Sequence, residues 1–141
     1  MISTIFQQLR RDENEVLHAY TDSEGYLTIG VGRLIDKRKG GGLRPEESAY
    51  LLNNDVVDRT KALTAALPWF SQLDEIRQGV LINMAFQLGT PGLLAFHNTL
   101  ALIAANNYTD AADEMLKSKW ATQTPERAKR LSDQMRDGNW R

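Results

Sequence analysis

Residues 16–32 of the chain read VLHAYTDSEGYLTIGVG, and this stretch decides the fold of the N-terminal part. Asp22 opens and Gly25 closes a short segment of turn-forming residues. The second half of the stretch alternates aliphatic residues with Thr28 and two glycines, which is the two-residue period of a half-buried strand. The pattern predicts a β-hairpin over about residues 15–35. It also predicts that the aliphatic residues face a core, and that Thr28 and the glycines form the opposite, open face.

On both sides of this hairpin the pattern is helical. Apolar residues at helical spacing predict one short helix over residues 3–11. A glycine-rich segment, residues 37–42, is expected to be a flexible loop. Pro45 then begins a helix of about 22 residues, which would be about 33 Å long. Further helices are expected over residues 73–88, 93–105 (one or two), 109–119 with Thr109 as N-cap, and from Pro125 onward with Thr124 as N-cap. The pattern therefore predicts an α+β protein, mainly α.

Composition restricts the class of protein. With 141 residues, 42% apolar and 25% charged, the chain has the make-up of one soluble globular domain. It contains no cysteine, which excludes a disulfide-stapled module and thiolate chemistry. No apolar run approaches the roughly 18 residues of a membrane span, and the first eight residues lack the features of a secretory signal peptide. The net charge of −1 leads us to expect no nucleic-acid partner.

The charges are unevenly distributed along the chain. Residues 1–36 contain three basic and six acidic residues, whereas residues 117–141 contain seven basic and three acidic residues. These two segments could attract each other directly or face each other across a cleft.

Carboxylates are the groups best suited to catalysis in this sequence. The two histidines, His18 and His97, lack the spacing of a zinc motif, and no phosphate-binding loop or serine-nucleophile motif is found, so we expect no metal and no cofactor. Hydrolysis of a glycosidic bond needs one carboxylic acid for the leaving oxygen and a second group that places water. A cluster of acids around a hairpin is also typical of a solvated surface. The candidates are Asp12, Glu13, Glu15, Asp22 and Glu24.

The order of residues around these carboxylates resembles that of phage-type lysozymes, specifically the T-even phage lysozyme group of glycoside hydrolase family 24. Glu13 stands at the end of the first helix, Asp22 in the hairpin turn, and Thr28 opens a Thr-Ile-Gly-x-Gly motif. The similarity covers nearly the whole chain. It continues through LINMAFQLG (residues 81–89), KSKW (117–120), QTPERAKR (123–130) and GNW (138–140).

This resemblance implies a lysozyme-like fold with a cleft between two lobes. The small N-terminal hairpin lobe would span about residues 13–44, and a connecting helix about residues 45–67. The larger helical lobe would comprise about residues 68–141 together with the N-terminal helix, residues 3–11. All of these parts would belong to a single lysozyme domain, residues 1–141.

The resemblance also implies a role for individual residues. Glu13 matches the family's general acid, and Asp22 matches the carboxylate that supports the attacking water and the developing positive charge on the sugar. Thr28 matches the hydroxyl that helps to position this water, and Arg127 matches a basic residue that pairs with the catalytic Glu. Since the family inverts at the anomeric carbon, we expect inversion here. The substrate-binding residues expected from the resemblance are Gly32, Leu34, Phe86, Gln87, Phe96 and Arg127.

The expected activity is that of a muramidase that cuts the β-1,4 bond between N-acetylmuramic acid and N-acetylglucosamine. Its partners would be peptidoglycan glycan strands, and we expect a monomer. An endolysin of this kind would be made in the host cytoplasm and reach periplasmic peptidoglycan once another protein permeabilises the membrane. Two alternatives are a lysozyme fold that binds glycan or a partner without hydrolysis, and a glycosidase acting on chitin-like polymers.

One position departs from the family pattern. Arg33 stands where T-even relatives commonly have a histidine that pairs with an aspartate, and the matching acid in this chain is Asp55. We therefore expect an Arg33–Asp55 ion pair. Because arginine does not lose its proton, this pair should persist at alkaline pH.

Overall fold

The computed structural model describes residues 2–141, with side chains from Ile5 onward. Two compact units are distinguished, and the boundary between them falls between Leu51 and Leu52, inside the long helix α2 (Pro45–Ala66). This helix starts at Pro45 and has 22 residues, as predicted. The lobe boundaries and the cleft stay predictions.

The N-terminal helix of the first unit is longer than predicted. Helix α1 (Ile2–Glu13) continues two residues past the predicted end. It is followed by Asn14, whose φ of 63° is left-handed. Asparagine is one of the few residues that tolerate this conformation, which commonly terminates helices. Glu13 is therefore the last residue of α1, where the chain turns away.

A three-stranded antiparallel sheet follows α1, with strands β1 (Val16–Thr21), β2 (Leu27–Gly30) and β3 (Arg33–Leu34) in sequence order. The predicted hairpin is confirmed, but the third strand was not predicted. The prediction that Gly32 lies on a strand face is wrong, because β2 ends at Gly30, which pairs with Val16 of β1. Ile29 pairs with Arg33, so Val31 and Gly32 form the tight connection to β3. Gly30 and Gly32 both have positive φ, which other residues adopt only with strain.

The predicted faces of β2 are also reversed at its start. Thr28 is only 4% exposed, whereas Leu27 is 45% exposed. Thr28 occupies the central strand, opposite Tyr20 of β1 and Leu34 of β3. Its hydroxyl donates to the Tyr26 carbonyl at 3.2 Å. A buried hydroxyl with such a partner avoids most of the cost of losing water, so the polar residue can lie inside.

Residues 37–42 form an ordered segment rather than the predicted flexible loop. A short 3-10 helix spans Lys37–Lys39, and Asp36, which is 5% exposed, caps it by accepting from the Arg38 backbone N–H. A Cβ on Gly41 would lie 2.5 Å from the Leu34 carbonyl oxygen. Gly41 is therefore required because two backbone segments pack closely. The prediction of flexibility rested on the glycine content alone.

The predicted ion pair between Arg33 and Asp55 is wrong. Arg33 instead forms a bidentate pair with Glu47, with N–O distances of 2.9 and 2.7 Å, and also donates to the Gly42 carbonyl. Glu47 lies in the first turn of α2 and accepts a further bond from the Arg44 backbone N–H at 2.8 Å. The arginine thus ties the start of β3 to the beginning of α2.

The second unit is helical and contains the hydrophobic core. Helix α3 (Glu75–Leu88) follows a 3-10 turn at Phe70–Gln72, and it is partly buried, with Val80, Leu81, Met84 and Ala85 inside and Glu75 and Phe86 exposed. The core side chains that are fully inaccessible include Leu63, Val80, Leu81, Met84, Leu93, Ile103, Met115 and Met135. No helix within residues 2–141 has the length and apolarity needed to cross a membrane.

The helices after α3 are α4 (Thr90–Leu94), α5 (His97–Ala104), α6 (Tyr108–Leu116), α7 (Lys119–Gln123) and α8 (Pro125–Asp137). They differ from the prediction mainly at their ends. Asn107, not Thr109, caps α6 by accepting from the Asp110 N–H at 3.3 Å. Thr124 does precede α8, but its hydroxyl donates to the Trp120 carbonyl and does not cap the helix. The short α7 was not predicted as a separate helix.

Candidate active site

The carboxylate of Glu13 lies against Gly32, in the turn between β2 and β3. A Cβ placed on Gly32 would be 3.0 Å from Glu13 Oε2 and 3.4 Å from its Cδ. Gly32 has a φ of 67°. The position therefore needs glycine twice, once for the backbone and once to leave room for the acid. Two of the predicted site residues are thus neighbours in space although 19 positions separate them in the sequence.

The carboxylate of Asp22 is held on one side by the hairpin turn. Its Oδ1 accepts the backbone N–H groups of Glu24 at 2.9 Å and Tyr26 at 2.8 Å. Within the described part of the same unit, residues 5–51, no donor reaches its other oxygen, Oδ2. This is the side-chain capping by which aspartate stabilises turns. The turn therefore orients the group while one carboxylate oxygen is left for a further ligand.

Tyr26 connects Asp22 with Thr28 through its backbone. Its N–H donates to Asp22 Oδ1, and its carbonyl accepts both the Asp22 N–H at 2.8 Å and the Thr28 hydroxyl at 3.2 Å. A hydroxyl has one donor and two acceptor lone pairs. Since the Thr28 proton is directed to Tyr26, its lone pairs can accept a bond from a water molecule. Leu34, another predicted site residue, is half-buried and lies opposite Thr28 on β3.

Arg127 and Phe86 share a surface depression in the second unit. Arg127 donates to the Asn83 side-chain oxygen from Nε at 2.9 Å and from Nη2 at 2.6 Å. The depression has a volume of about 270 Å³, and both residues line it together with Asn83. The structure therefore brings two of the predicted substrate-binding residues together. The pairing of Arg127 with Glu13 stays a prediction.

Gln87 and Phe96 both contact Trp120, on the same unit. The Trp120 indole N–H donates to Gln87 Oε1 at 2.9 Å. Phe96 packs edge-on against the Trp120 ring, with the centroids 6.0 Å apart. The two aromatic residues line a pocket of about 430 Å³ between α5, α6 and α7. Gln87 therefore has a structural task, holding Trp120, which is compatible with its predicted contact to substrate.

Two carboxylates of the first unit have strongly lowered pKa values. Hydrogen bonds from the Arg38 side chain and backbone hold the pKa of Asp36 well below its usual range. The side chain of Arg33, together with the Arg44 backbone N–H, lowers the pKa of Glu47 to about 2. Both carboxylates are therefore ionised near neutral pH, and their hydrogen bonds hold the segment that follows the hairpin in place. Among the side chains from Ile5 onward, no group of three or more His, Asp or Glu could hold one metal ion.

Sequence reasoning missed several residues that shape this site. Tyr26 acts through its backbone, so side-chain chemistry gives no signal for it. Asn83 and Trp120 fall within the stretches that resemble the family, yet their partners Arg127 and Gln87 lie 44 and 33 positions away. Arg38 is one of three consecutive basic residues in a glycine-rich segment, a pattern typical of a solvated loop.

A mainly helical α+β chain with a small antiparallel sheet that carries Asp22 and Thr28, and with Glu13 at the end of the first helix, defines a protein of the lysozyme class. The phage lysozyme family model matches residues 10–136, and the chain belongs to this family. It is a lysozyme, an enzyme that hydrolyses peptidoglycan.

Individual relatives support this assignment. The chain is 33% identical to "Probable T4-type lysozyme 1" of Dictyostelium discoideum, with 93% of this chain and 92% of the relative covered. It is 31% identical to the "Endolysin" of Salmonella phage P22, with 84% and 83% covered. It is also 31% identical to "Pre-baseplate central spike protein Gp5" of Enterobacteria phage T4, where the match covers 94% of this chain but 28% of the relative.

Proposed function

We propose that the protein is an inverting muramidase that hydrolyses the β-1,4 bond between N-acetylmuramic acid and N-acetylglucosamine. Glu13 acts as the general acid and protonates the leaving oxygen. Asp22 and Thr28 position the water that attacks the anomeric carbon from the opposite face, so the new C–O bond forms as the glycosidic bond breaks. The substrate is bound by six further residues, which contact it or shape its binding site: Gly32, Leu34, Phe86, Gln87, Phe96 and Arg127.

The observation that carries this proposal is the shared attachment of Asp22 and Thr28 to Tyr26. The two side chains bond to the backbone N–H and carbonyl of one residue, yet within residues 5–51, the same unit, no donor reaches Asp22 Oδ2 or the Thr28 lone pairs. A water molecule has two protons and can donate one to each. Its lone pairs then stay available to attack an electrophilic carbon. A carboxylate used only to build a turn needs no such hydroxyl beside it.

Glu13 has the opposite surroundings. It lies at the exposed end of α1, with its carboxylate beside Gly32. A general acid must exchange its proton with solvent in each cycle, and an exposed position allows this.

The test is clearing of permeabilised Gram-negative cells by purified protein, followed as turbidity. Glu13→Gln and Asp22→Asn keep the size of each side chain and should abolish clearing. Glu24→Gln is the matched control, because Glu24 lies in the same turn but its side chain is not used by Asp22. Equal clearing by Glu13→Gln and the unchanged protein would refute the assignment. Binding without clearing by the unchanged protein would favour the non-catalytic module.

Stereochemistry provides a separate test. Inversion of a β-linked substrate releases the α-anomer first, which NMR detects before mutarotation. Initial release of the β-anomer would contradict the proposed roles of Asp22 and Thr28. Chitin oligosaccharides assayed in parallel distinguish a muramidase from an enzyme of chitin-like polymers.

We also propose that the protein works as a monomer and as an endolysin, made in the host cytoplasm and acting on periplasmic peptidoglycan after the membrane is permeabilised. Similarity to the P22 endolysin supports this setting. Expression in a Gram-negative host should leave the culture intact until a membrane-permeabilising agent is added. Lysis without the agent would contradict this proposal. The oligomeric state is tested separately by sedimentation equilibrium, in which a mass above that of one chain would contradict the monomer.

A further inference from the structure

One peptide group lies between Asp22 and the segment that follows the sheet. It joins Gly25 to Tyr26. Its N–H donates to Asp22 Oδ1 at 2.8 Å, and its carbonyl accepts from Arg38 Nη2 at 3.0 Å. A peptide group is planar, so its N–H and C=O turn together. The residue that fixes the carbonyl therefore also fixes the direction of the N–H that holds Asp22.

This peptide group needs external support. Gly25 has a φ of 89°, and no atom lies within 4 Å of the place where its Cβ would be. The backbone bond of the turn, from the Gly25 N–H to the Asp22 carbonyl at 3.0 Å, does not involve the Gly25 carbonyl, and glycine has the largest conformational freedom of any residue. Within the described chain Arg38 is the side chain that bonds to this carbonyl.

Arg38 is itself held in place by Asp36. Its Nε lies 2.9 and 3.1 Å from the two Asp36 oxygens, and its backbone N–H donates to Oδ1 at 2.9 Å. Asp36 also accepts the Leu27 N–H at 3.3 Å, which attaches it to the start of β2. The Arg38 guanidinium lies 5.0 Å from the centre of the Tyr26 ring. These contacts restrain a side chain that is otherwise 62% exposed.

We propose that Arg38, anchored by Asp36, is a positioning residue for Asp22. It acts through the Gly25–Tyr26 peptide group. The bond from a guanidinium to the carbonyl is charge-assisted, and it polarises the peptide so that its N–H becomes a better donor to Asp22. Asp22 Oδ2 is thereby held in the direction needed for the attacking water. This inference rests on the proposed catalytic role of Asp22.

The experiment compares Arg38→Met with Lys39→Met on soluble peptidoglycan strands. Lys39 is the matched control, because its Nζ lies 4.5 Å from the centre of the same Tyr26 ring but does not bond to Gly25. We expect Arg38→Met to lower kcat about tenfold with KM unchanged, since small misplacements of a catalytic group cost large factors in rate. Amide exchange of Tyr26, measured by NMR, should become faster in this variant. Lys39→Met should match the unchanged protein in both measurements.

A kcat and a Tyr26 exchange rate in Arg38→Met equal to those of Lys39→Met would overturn the proposal. So would a raised KM with unchanged kcat, which would make Arg38 a substrate contact. If Arg38→Met does not fold, Arg38→Lys takes its place. Its single amine reaches only one of the two partners, so kcat should fall several-fold, and an unchanged kcat would refute the idea.

The Asp22→Asn variant separates this inference from the proposed function. If Asp22→Asn retains full activity, the proposed function fails, whatever Arg38 does. If Asp22→Asn is inactive and Arg38→Met is fully active, only the positioning role of Arg38 is refuted.

Discussion

Replacing Gly32 by alanine tests whether the Glu13 carboxylate is placed by the turn between β2 and β3. The new Cβ would lie 3.0 Å from Glu13 Oε2, and an ordinary contact starts at about 3.4 Å. The carboxylate must therefore move by about 0.4 Å. Since a 1 Å misplacement can cost about a hundredfold in rate, we expect kcat to fall about sixfold. The left-handed φ of 67° adds a stability loss of about 1–2 kcal/mol.

Gly30→Ala is the matched control for this variant. Gly30 has a nearly identical φ of 71°, but no atom lies within 4 Å of its Cβ position. Both variants should therefore lose about 1–2 kcal/mol, which for a chain of this size lowers Tm by about 3–8 °C. Only Gly32→Ala should also lose activity.

The assay measures kcat on soluble peptidoglycan strands at a temperature well below both transitions, so that every variant is fully folded. Thermal unfolding by circular dichroism gives the stability change separately. Equal kcat values for the two variants would refute the placement of Glu13 against Gly32. A Gly32→Ala variant with unchanged Tm would show that the turn has a different backbone conformation.

Three further predictions concern stability. Gln87→Leu leaves the Trp120 indole N–H, on a side chain that is 4% exposed, without its acceptor, and urea unfolding should show a loss of about 1–3 kcal/mol. Acid titration should reveal a stabilising effect of Glu47, because its folded pKa of about 2 lies below its ordinary value of 4.5. The carboxylate form is the one that binds Arg33, so this stabilisation is complete above about pH 4.5 and is lost as the pH falls towards 2. Leu63→Ala removes a fully buried side chain from the core and should cost about 2–5 kcal/mol in urea unfolding.

Each of these predictions has its own control. Gln87→Glu retains an acceptor for the indole and should cost less than Gln87→Leu; the reverse order would argue against the bond. Glu47→Gln should reduce the dependence of the free energy of unfolding on acidic pH. If Asp55→Asn reduces it instead, Arg33 pairs with Asp55, as predicted from the sequence. Leu52→Ala, at a 53% exposed position of the same helix as Leu63, should change stability by no more than about 0.5 kcal/mol.

Local signals in the sequence predicted the elements and the family. Alternation over residues 27–31 predicted a strand, Pro45 predicted the start of a 22-residue helix, and apolar spacing predicted most of the later helices. These features depend on neighbours within a few positions, where backbone preferences and hydrophobic periodicity act directly. The order of Glu13, Asp22 and Thr28, together with the matching stretches further along the chain, identified the family, which the comparisons confirm.

Tertiary structure alone decided which groups contact each other. Helix α2 contains four acids, Glu46, Glu47, Asp55 and Asp58, and Arg33 pairs with Glu47 because the start of β3 lies beside the first turn of α2. The same closeness turned residues 37–42 into an ordered segment and placed Arg38 on the Gly25 carbonyl. Hydrogen bonds form only when donor and acceptor are about 3 Å apart, so they depend on which segments distant in sequence the fold brings together. Periodicity along the chain does not contain this information.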